Sequence, residues 1–308
     1  MNKLFEALKR GGDILSEAER ESFLDGQIES DLPLPVSPAP AGDAGMSIPA
    51  PAPNYFQGAV SSARTVSLEV SPAAPILPFD GTHWGAGEQY RLLRTKIRQH
   101  PKSPQILVVT SAGPSDGKSV TAINLAGALA LKGESRVLLI DADFRRSTIC
   151  TQLGVSPAPG VAEVLTGNCA LHEALIQAEQ IPNFYVLPSG KAAINPAELL
   201  DSSLWHELIQ FSRTEFEYIV IDCPPLGGLA DYDLIQAVCD ATILVVRPDH
   251  TDRKLCFHAL SSIPKEKLIG VVINCVEEWF LESGPRYTGY YGYYDRAPAQ
   301  PKAPICRK

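Results

Sequence analysis

A glycine-containing loop followed by lysine and serine has the residue types and spacing best suited to chemistry. Residues 112–119 read Ala-Gly-Pro-Ser-Asp-Gly-Lys-Ser, between an apolar run at 106–109 and a helical pattern at 120–131. Such a loop between a strand and a helix binds phosphate through backbone N–H groups and the helix N-terminus. Its lysine is expected to reach the β- and γ-phosphates of a nucleotide, and its serine hydroxyl to bind Mg²⁺. The expected phosphate-binding residues are Gly113, Pro114, Ser115, Asp116, Gly117, Lys118, Ser119 and Val120.

Three aspartates follow two other apolar runs. Asp141 and Asp143 come directly after residues 137–140, and Asp222 comes directly after residues 218–221. One aspartate after a strand is more often a helix cap or a turn residue. The carboxyl ends of parallel strands, however, meet at one edge of a sheet, where ligands bind. Because Mg²⁺ prefers carboxylate and phosphate oxygens, Asp143 and Asp222 are expected to help place the metal, directly or through water.

The elements that must position these residues alternate along the chain. Apolar runs predict strands at 105–110, 136–140, 184–187, 218–222, 241–246 and 268–273. Helical patterns lie at 118–131, 161–166, 171–178, 197–212 and 231–238. This alternation predicts an α/β fold with a doubly wound, mostly parallel sheet.

The regions on either side of this core differ in composition. Residues 1–27 form an amphipathic helical pattern, which either packs on the domain or docks to a partner or membrane surface. Residues 28–80 are rich in proline and alanine and are predicted to be a linker, so the folded domain is expected at 81–283. Residues 284–308 are predicted to be a flexible tail. Its tyrosine cluster consists of Tyr287, Tyr290, Tyr291, Tyr293 and Tyr294.

Whole-chain composition excludes several classes of protein. The net charge of the 308 residues is −8, which argues against nucleic-acid binding through overall positive charge. The seven cysteines show no zinc-binding spacing and are expected to be reduced thiols. No apolar run approaches the length of a membrane span, and the N-terminus lacks the apolar core of a signal peptide. A cytoplasmic protein is expected.

Taken together, these motifs resemble the bacterial tyrosine kinases (BY-kinases) of capsule and exopolysaccharide synthesis, and in particular their cytoplasmic CpsD/CapB-like form. The resemblance extends over residues 84–294. Residues 112–119 match the Walker A motif of that family, residues 141–145 its Asp-x-Asp-x-Arg Walker A′ motif, and residues 222–225 its Walker B motif. Two further signatures are similar: Glu88, Arg91 and Arg94 fit its Glu-x-x-Arg-x-x-Arg oligomerisation helix, and the C-terminal tyrosines fit its tyrosine cluster.

The resemblance implies a P-loop NTPase fold and a protein-tyrosine autokinase that uses ATP and Mg²⁺. Lys118, Asp141, Asp143 and Asp222 would be its catalytic residues, with Asp141 accepting or orienting the tyrosine proton. Asn274 would face the adenine. The tail tyrosines would be phosphorylated between subunits of a ring, which regulates polysaccharide polymerisation and export. The implied partners are a transmembrane polysaccharide co-polymerase or activator, which recruits the protein to the inner face of the membrane, and a protein-tyrosine phosphatase.

Two other functions compete with the kinase. One is a ParA/MinD-like ATPase switch without tyrosine transfer, and the other is a non-enzymatic, nucleotide-sensing scaffold. Gly113 occupies the position where the switch ATPases carry a second lysine, so it argues against the switch, as does the tyrosine cluster. The lysine of the loop and the three aspartates argue against an inert scaffold.

Overall fold

The computed structural model describes residues 56, 58–70, 84–131, 135–191, 195–227 and 230–276. The strands in this part are β1 (Arg64–Val66), β2 (Ile106–Ser111), β3 (Val137–Asp141), β4 (Ile176–Ala178), β5 (Phe184–Leu187), β6 (Tyr218–Asp222), β7 (Ala241–Val246) and β8 (Leu268–Ile273). The helices are α1 (Trp84–Arg98), α2 (Lys118–Ala130), α3 (Ile149–Leu153), α4 (Val161–Leu165), α5 (Leu171–Ala174), α6 (Pro196–Leu200), α7 (Ser203–Glu215), α8 (Ala230–Ala237) and α9 (Arg253–Ser262). The segment 1–27 and the tyrosine tail 284–308 lie outside the described residues.

The eight strands form one sheet in the order β1-β4-β5-β3-β6-β2-β7-β8. Every neighbouring pair is parallel except β4 with β5, which is antiparallel. This confirms the predicted doubly wound, mostly parallel α/β fold. The carboxyl ends of β2, β3 and β6 lie side by side at the centre of the sheet.

Helices cover both faces of the sheet, which explains why the central strands are apolar without interruption. Along β2, Ile106 and Val108 face one buried cluster, and Leu107 and Val109 face the other. The first cluster receives the buried face of α7, and the second receives most of α2. The central strands are therefore fixed from two sides, and so are the loops at their carboxyl ends.

Two predictions about the elements are wrong. Residues 58–70 do not belong to a linker, because β1 pairs with β4, and Ala59, Val60 and Leu68 are buried against the domain. The helical pattern at 171–178 ends after α5, and its last residues form β4. Both strands have only three residues, so their sequences are too short to show an alternating pattern.

The prediction for 197–212 is also incomplete, because this stretch is divided between α6 and α7. Ser202 separates them, and its hydroxyl caps α7 by accepting a hydrogen bond from the backbone N–H of Trp205. Within the described ranges, no helix has both the length and the apolar character needed to cross a membrane.

Candidate active site

The loop between β2 and α2 has the shape that its glycines predict. Gly117 adopts a φ of +93° directly before α2 begins at Lys118. A Cβ atom on Gly117 would lie only 2.0 Å from the amide nitrogen of Asn274. Glycine is therefore required at this position for two independent reasons, its backbone conformation and the close approach of a neighbouring side chain.

Asp116 holds this loop from the inside. Its Oδ2 accepts a hydrogen bond from the backbone N–H of Gly113 at 2.8 Å, and its Oδ1 accepts one from the Thr251 hydroxyl at 2.7 Å. Its backbone oxygen accepts a third from the side-chain amide of Asn274 at 2.9 Å. The segments that follow β7 and β8 therefore fix the conformation of the loop. The contact seen for the Asn274 amide is with the loop. The predicted role of Asn274 at the adenine stays a prediction.

The structure brings the three predicted aspartates to the same edge of the sheet as the loop. Asp141 and Asp222 are directly opposite each other on β3 and β6, and Asp143 follows two residues after Asp141. All three are at most 1% exposed. Lys118 Nζ lies 2.7 Å from Asp143 Oδ2 and 3.5 Å from Asp222, and the Ser119 hydroxyl donates to Asp222 Oδ2 at 2.5 Å.

Burial of this cluster changes how its groups titrate. Burial, reinforced by the charge of Asp222, raises the pKa of Asp141 to about 7, although the hydrogen bond from Ser147 acts in the opposite direction. Burial also raises the pKa of Asp222, against the opposing effect of Lys118. For Lys118, burial alone would lower the pKa, but the negative charges of Asp222 and Asp143 outweigh it and raise the pKa.

The turn after β3 holds two of the aspartates. The Ser147 hydroxyl donates to Asp141 Oδ2 at 2.6 Å, and the backbone N–H of Asp143 donates to Asp141 Oδ1 at 3.2 Å. The backbone N–H of Arg146 donates to Asp143 Oδ1 at 2.9 Å. Both carboxylates are therefore oriented by the chain that follows them.

A cavity of about 250 Å³ opens beside the loop and the aspartates. It is bordered by the loop and the start of α2, by the turn after β3 and α3, and by the Walker B segment. Its lining residues are Pro114, Ser115, Gly117, Lys118, Ser119, Val120, Asp143, Arg146, Thr148, Gln152 and Pro225. Of the predicted phosphate-binding residues, Gly113 and Asp116 do not line it, because Asp116 braces the loop through the N–H of Gly113.

The donor set beside this cavity fits a magnesium–nucleotide complex. Ser119, Asp143 and Asp222 offer one hydroxyl and two carboxylates, and Mg²⁺ usually takes few protein ligands together with phosphate oxygens and water. Among the described residues, no group of three or more His, Cys, Asp or Glu side chains is arranged to hold a metal ion.

The residues predicted for oligomerisation differ in their surroundings. Glu88 and Arg91 form an ion pair with each other on the exposed side of α1. Arg94 donates a hydrogen bond of 2.9 Å to the backbone oxygen of Ala128, in the last turn of α2. One member of the motif therefore stabilises the C-terminal end of α2. The role of the three residues between subunits stays a prediction.

The sequence did not single out Thr251, Ser147 or Arg146. Thr251 is far from the loop in the chain, and only the tertiary structure places it against Asp116. Ser147 and Arg146 follow the Asp-x-Asp-x-Arg segment immediately, so the bend expected after a strand could have drawn attention to them.

Several known proteins are similar to this chain in sequence. A family model described as "AAA domain" matches residues 105–254. The tyrosine-protein kinase YwqD of Bacillus subtilis (strain 168) is 35% identical over 212 residues, covering 68% of this chain and 87% of that protein. The tyrosine-protein kinase CpsD of Streptococcus agalactiae is 33% identical over 212 residues, covering 68% and 91%.

Two solved structures are similar to this chain in fold and in sequence. The chimerical protein CapA2B2 superposes with a TM-score of 0.62 at 26% identity, covering 68% of this chain and 92% of that one. The kinase domain of VpsO superposes with a TM-score of 0.56 at 28% identity, covering 64% and 100%. With a P-loop, three converging aspartates and relatives matched over most of their length, this chain belongs to the bacterial tyrosine-protein kinases.

Proposed function

We propose that this kinase phosphorylates the tyrosines of its own C-terminal cluster, each tail entering the active site of a neighbouring subunit, and so regulates polymerisation and export of a capsule or exopolysaccharide. The observation that supports it most directly is the position of Lys118. Its amine lies among three buried carboxylates, beside a cavity lined by the P-loop. This arrangement combines phosphate binding with groups that place a metal and accept a proton.

Each residue of the site has a distinct part in the proposed reaction. Bound ATP supplies the phosphoryl group, and Mg²⁺ neutralises charge on it. Lys118 and the loop amides hold the phosphates, while Ser119, Asp143 and Asp222 hold the metal. Asp141 accepts the phenol proton.

The raised pKa of Asp141 suits it to act as the base. A tyrosine phenol has a pKa of about 10, so an ordinary carboxylate is a poor base for it. Burial raises the pKa of Asp141 to about 7, which brings the proton affinity of this carboxylate closer to that of the phenol. Ser147 and the backbone of Asp143 keep the carboxylate oriented.

Phosphorylation of the cluster gives a physical basis for regulation. Each phosphate adds roughly −1.5 to −2 charges, so five add roughly −7 to −10. The net charge of the whole chain is −8, so modification about doubles it. Repulsion between neighbouring tails then favours dissociation of the ring that Glu88, Arg91 and Arg94 support. A transmembrane activator that recruits the protein to the membrane and a protein-tyrosine phosphatase complete the cycle.

The test is to incubate the pure full-length protein with Mg-ATP and map phosphotyrosine by mass spectrometry. Phosphotyrosine is expected at Tyr287, Tyr290, Tyr291, Tyr293 and Tyr294. Lys118→Met should abolish it, whereas Lys265→Met, which removes an exposed lysine, should not. Hydrolysis of ATP without phosphotyrosine would instead indicate a nucleotide-dependent switch.

Two further measurements complete the experiment. If the protein alone is silent, the cytoplasmic tail of the cognate membrane activator is added, and continued silence counts against the autokinase. Particle mass is measured before and after phosphatase treatment. An unchanged mass would contradict ring dissociation but leave the kinase proposal intact.

A further inference from the structure

Two adjacent arginines follow β3, and their surroundings differ sharply. Arg145 forms a bidentate ion pair with the buried carboxylate of Asp231, at 2.8 and 3.2 Å. Arg146 lines the cavity beside the P-loop. Within the described part of the chain, its guanidinium has no ion pair or side-chain hydrogen bond. The first arginine therefore has a structural partner, and the second is available to a ligand in the cavity.

Negative charge outweighs positive charge around Lys118, so a second cation at the cavity would help to bind a phosphoryl group. Lys118 faces three buried carboxylates, Asp141, Asp143 and Asp222, so one ammonium group is outnumbered there. A phosphoryl group entering this cavity carries further negative charge. Two positively charged residues, Lys118 and Arg146, are among those that line the cavity.

The backbone fixes where Arg146 starts. Its N–H donates both to Asp143 Oδ1 at 2.9 Å and to the backbone oxygen of Asp143 at 3.3 Å. The arginine is thereby tied to a carboxylate that itself contacts Lys118 at 2.7 Å. Arg146, Thr148 and Gln152 line the cavity together with residues of the loop. The long cationic side chain of Arg146 therefore starts beside Asp143 and borders the same cavity as Lys118.

We propose that Arg146 is a further catalytic residue, whose guanidinium binds the phosphoryl group while it moves from ATP to the tyrosine oxygen. The inference rests on the proposed function of this site. In the step, the bond from the γ-phosphorus to the β–γ bridging oxygen breaks, and its electron pair stays on ADP. A new bond forms from that phosphorus to the phenol oxygen, whose proton passes to Asp141. A planar guanidinium matches the charge spread over the equatorial oxygens.

The experiment compares Arg146→Gln and Arg146→Lys with the wild type in the full-length protein. The matched control is Arg136→Gln, which removes the same charge at the other end of β3. Arg136 is half-exposed, and its guanidinium forms an ion pair with Glu215 at the surface, at 3.4 Å. Transfer is measured onto an added tyrosine-containing copolymer, so the result does not depend on whether the tail is an acceptor. A second readout needs no turnover: the affinity for Mg-ADP is measured with and without aluminium fluoride, which stands in for the transferring group.

Arg146→Gln is expected to lower kcat about 100-fold or more, with the affinity for Mg-ADP alone unchanged. Aluminium fluoride should tighten Mg-ADP binding in the wild type and the control, and much less in Arg146→Gln. Arg146→Lys should restore part of both effects, because it keeps the charge without the planar fork. Wild-type kcat in Arg146→Gln would overturn the inference, as would an equal loss of affinity for Mg-ADP with and without aluminium fluoride. If the wild type modifies the copolymer but not its tail, the autokinase proposal fails while this test remains decisive.

Discussion

Replacing Asp141 by asparagine should stabilise the protein while abolishing tyrosine phosphorylation. The carboxyl group is fully buried, and its pKa rises from an ordinary value of 3.8 to about 7. Each pKa unit corresponds to about 1.4 kcal/mol, so keeping this group ionised in the folded state costs about 4 kcal/mol. Asparagine has nearly the same shape and carries no charge. The free energy of unfolding at pH 8 should therefore rise by up to about 4 kcal/mol.

The size of this stabilisation depends on pH, whereas its sign does not change. Below pH 3.8 the carboxyl group is protonated in both the folded and the unfolded chain, so the substitution does not raise the free energy of unfolding through this group. Between pH 3.8 and about 7 the unfolded chain loses its proton first, and the wild type becomes progressively less stable than the variant. Above about pH 7 both states are ionised and the difference becomes constant.

The assay is urea unfolding of wild type and Asp141→Asn between pH 5 and pH 8, without nucleotide. Asp201→Asn, which changes an exposed carboxylate, serves as the control and should show little change at any pH. A gain for Asp141→Asn that is the same at pH 5 and pH 8 would refute the reasoning, because it could not come from ionisation. A loss of stability at pH 8 would refute it as well.

Three further substitutions test the supports of the site. Gly117→Ala places a side chain at a positive φ and against Asn274. The unfavourable backbone conformation alone should lower the free energy of unfolding by about 1–2 kcal/mol. Calorimetric titration with ATP should show weaker binding as well. Thr251→Val removes a hydroxyl that donates to the buried Asp116, so unfolding should become easier by about 1–3 kcal/mol; Thr251→Ser should keep the wild-type value. Asp231→Asn weakens the ion pair with the half-exposed arginine after β3, and a thermal melt should show a loss of only about 1 kcal/mol.

The sequence predicts the central part of the fold because burial there is uniform. β2, β3 and β6 are covered on both faces, so each is a continuous apolar run with turn residues at its ends. The edges of the sheet are less predictable. β1 has only three residues, and its position depends on pairing with β4 across more than 100 residues. β4 is equally short and continues a helical pattern, so its own sequence does not mark it as a strand.

The candidate site, too, is predictable from the sequence only in part. The loop and the aspartates follow central strands, so topology alone brings Lys118, Asp143 and Asp222 together. One group that braces the loop comes from a distant part of the chain. Thr251 reaches the loop across 135 residues of chain, and no local pattern marks it. The contrast between Arg145 and Arg146 depends on where each side chain points, which two adjacent letters in a sequence do not reveal.

Burial of the acidic cluster connects the stability of this protein with its chemistry. A carboxylate that titrates near neutral pH is useful as a base for a phenol, and the apolar packing that produces this property also makes the folded state less stable above pH 7. Apolar burial in the surrounding core offsets that cost, because Asp141 and Asp222 end strands in which the three preceding residues are buried and aliphatic. Selection for stability alone would favour neutral residues in place of Asp141 and Asp222, so their presence beside Lys118 favours a catalytic role over a purely structural one.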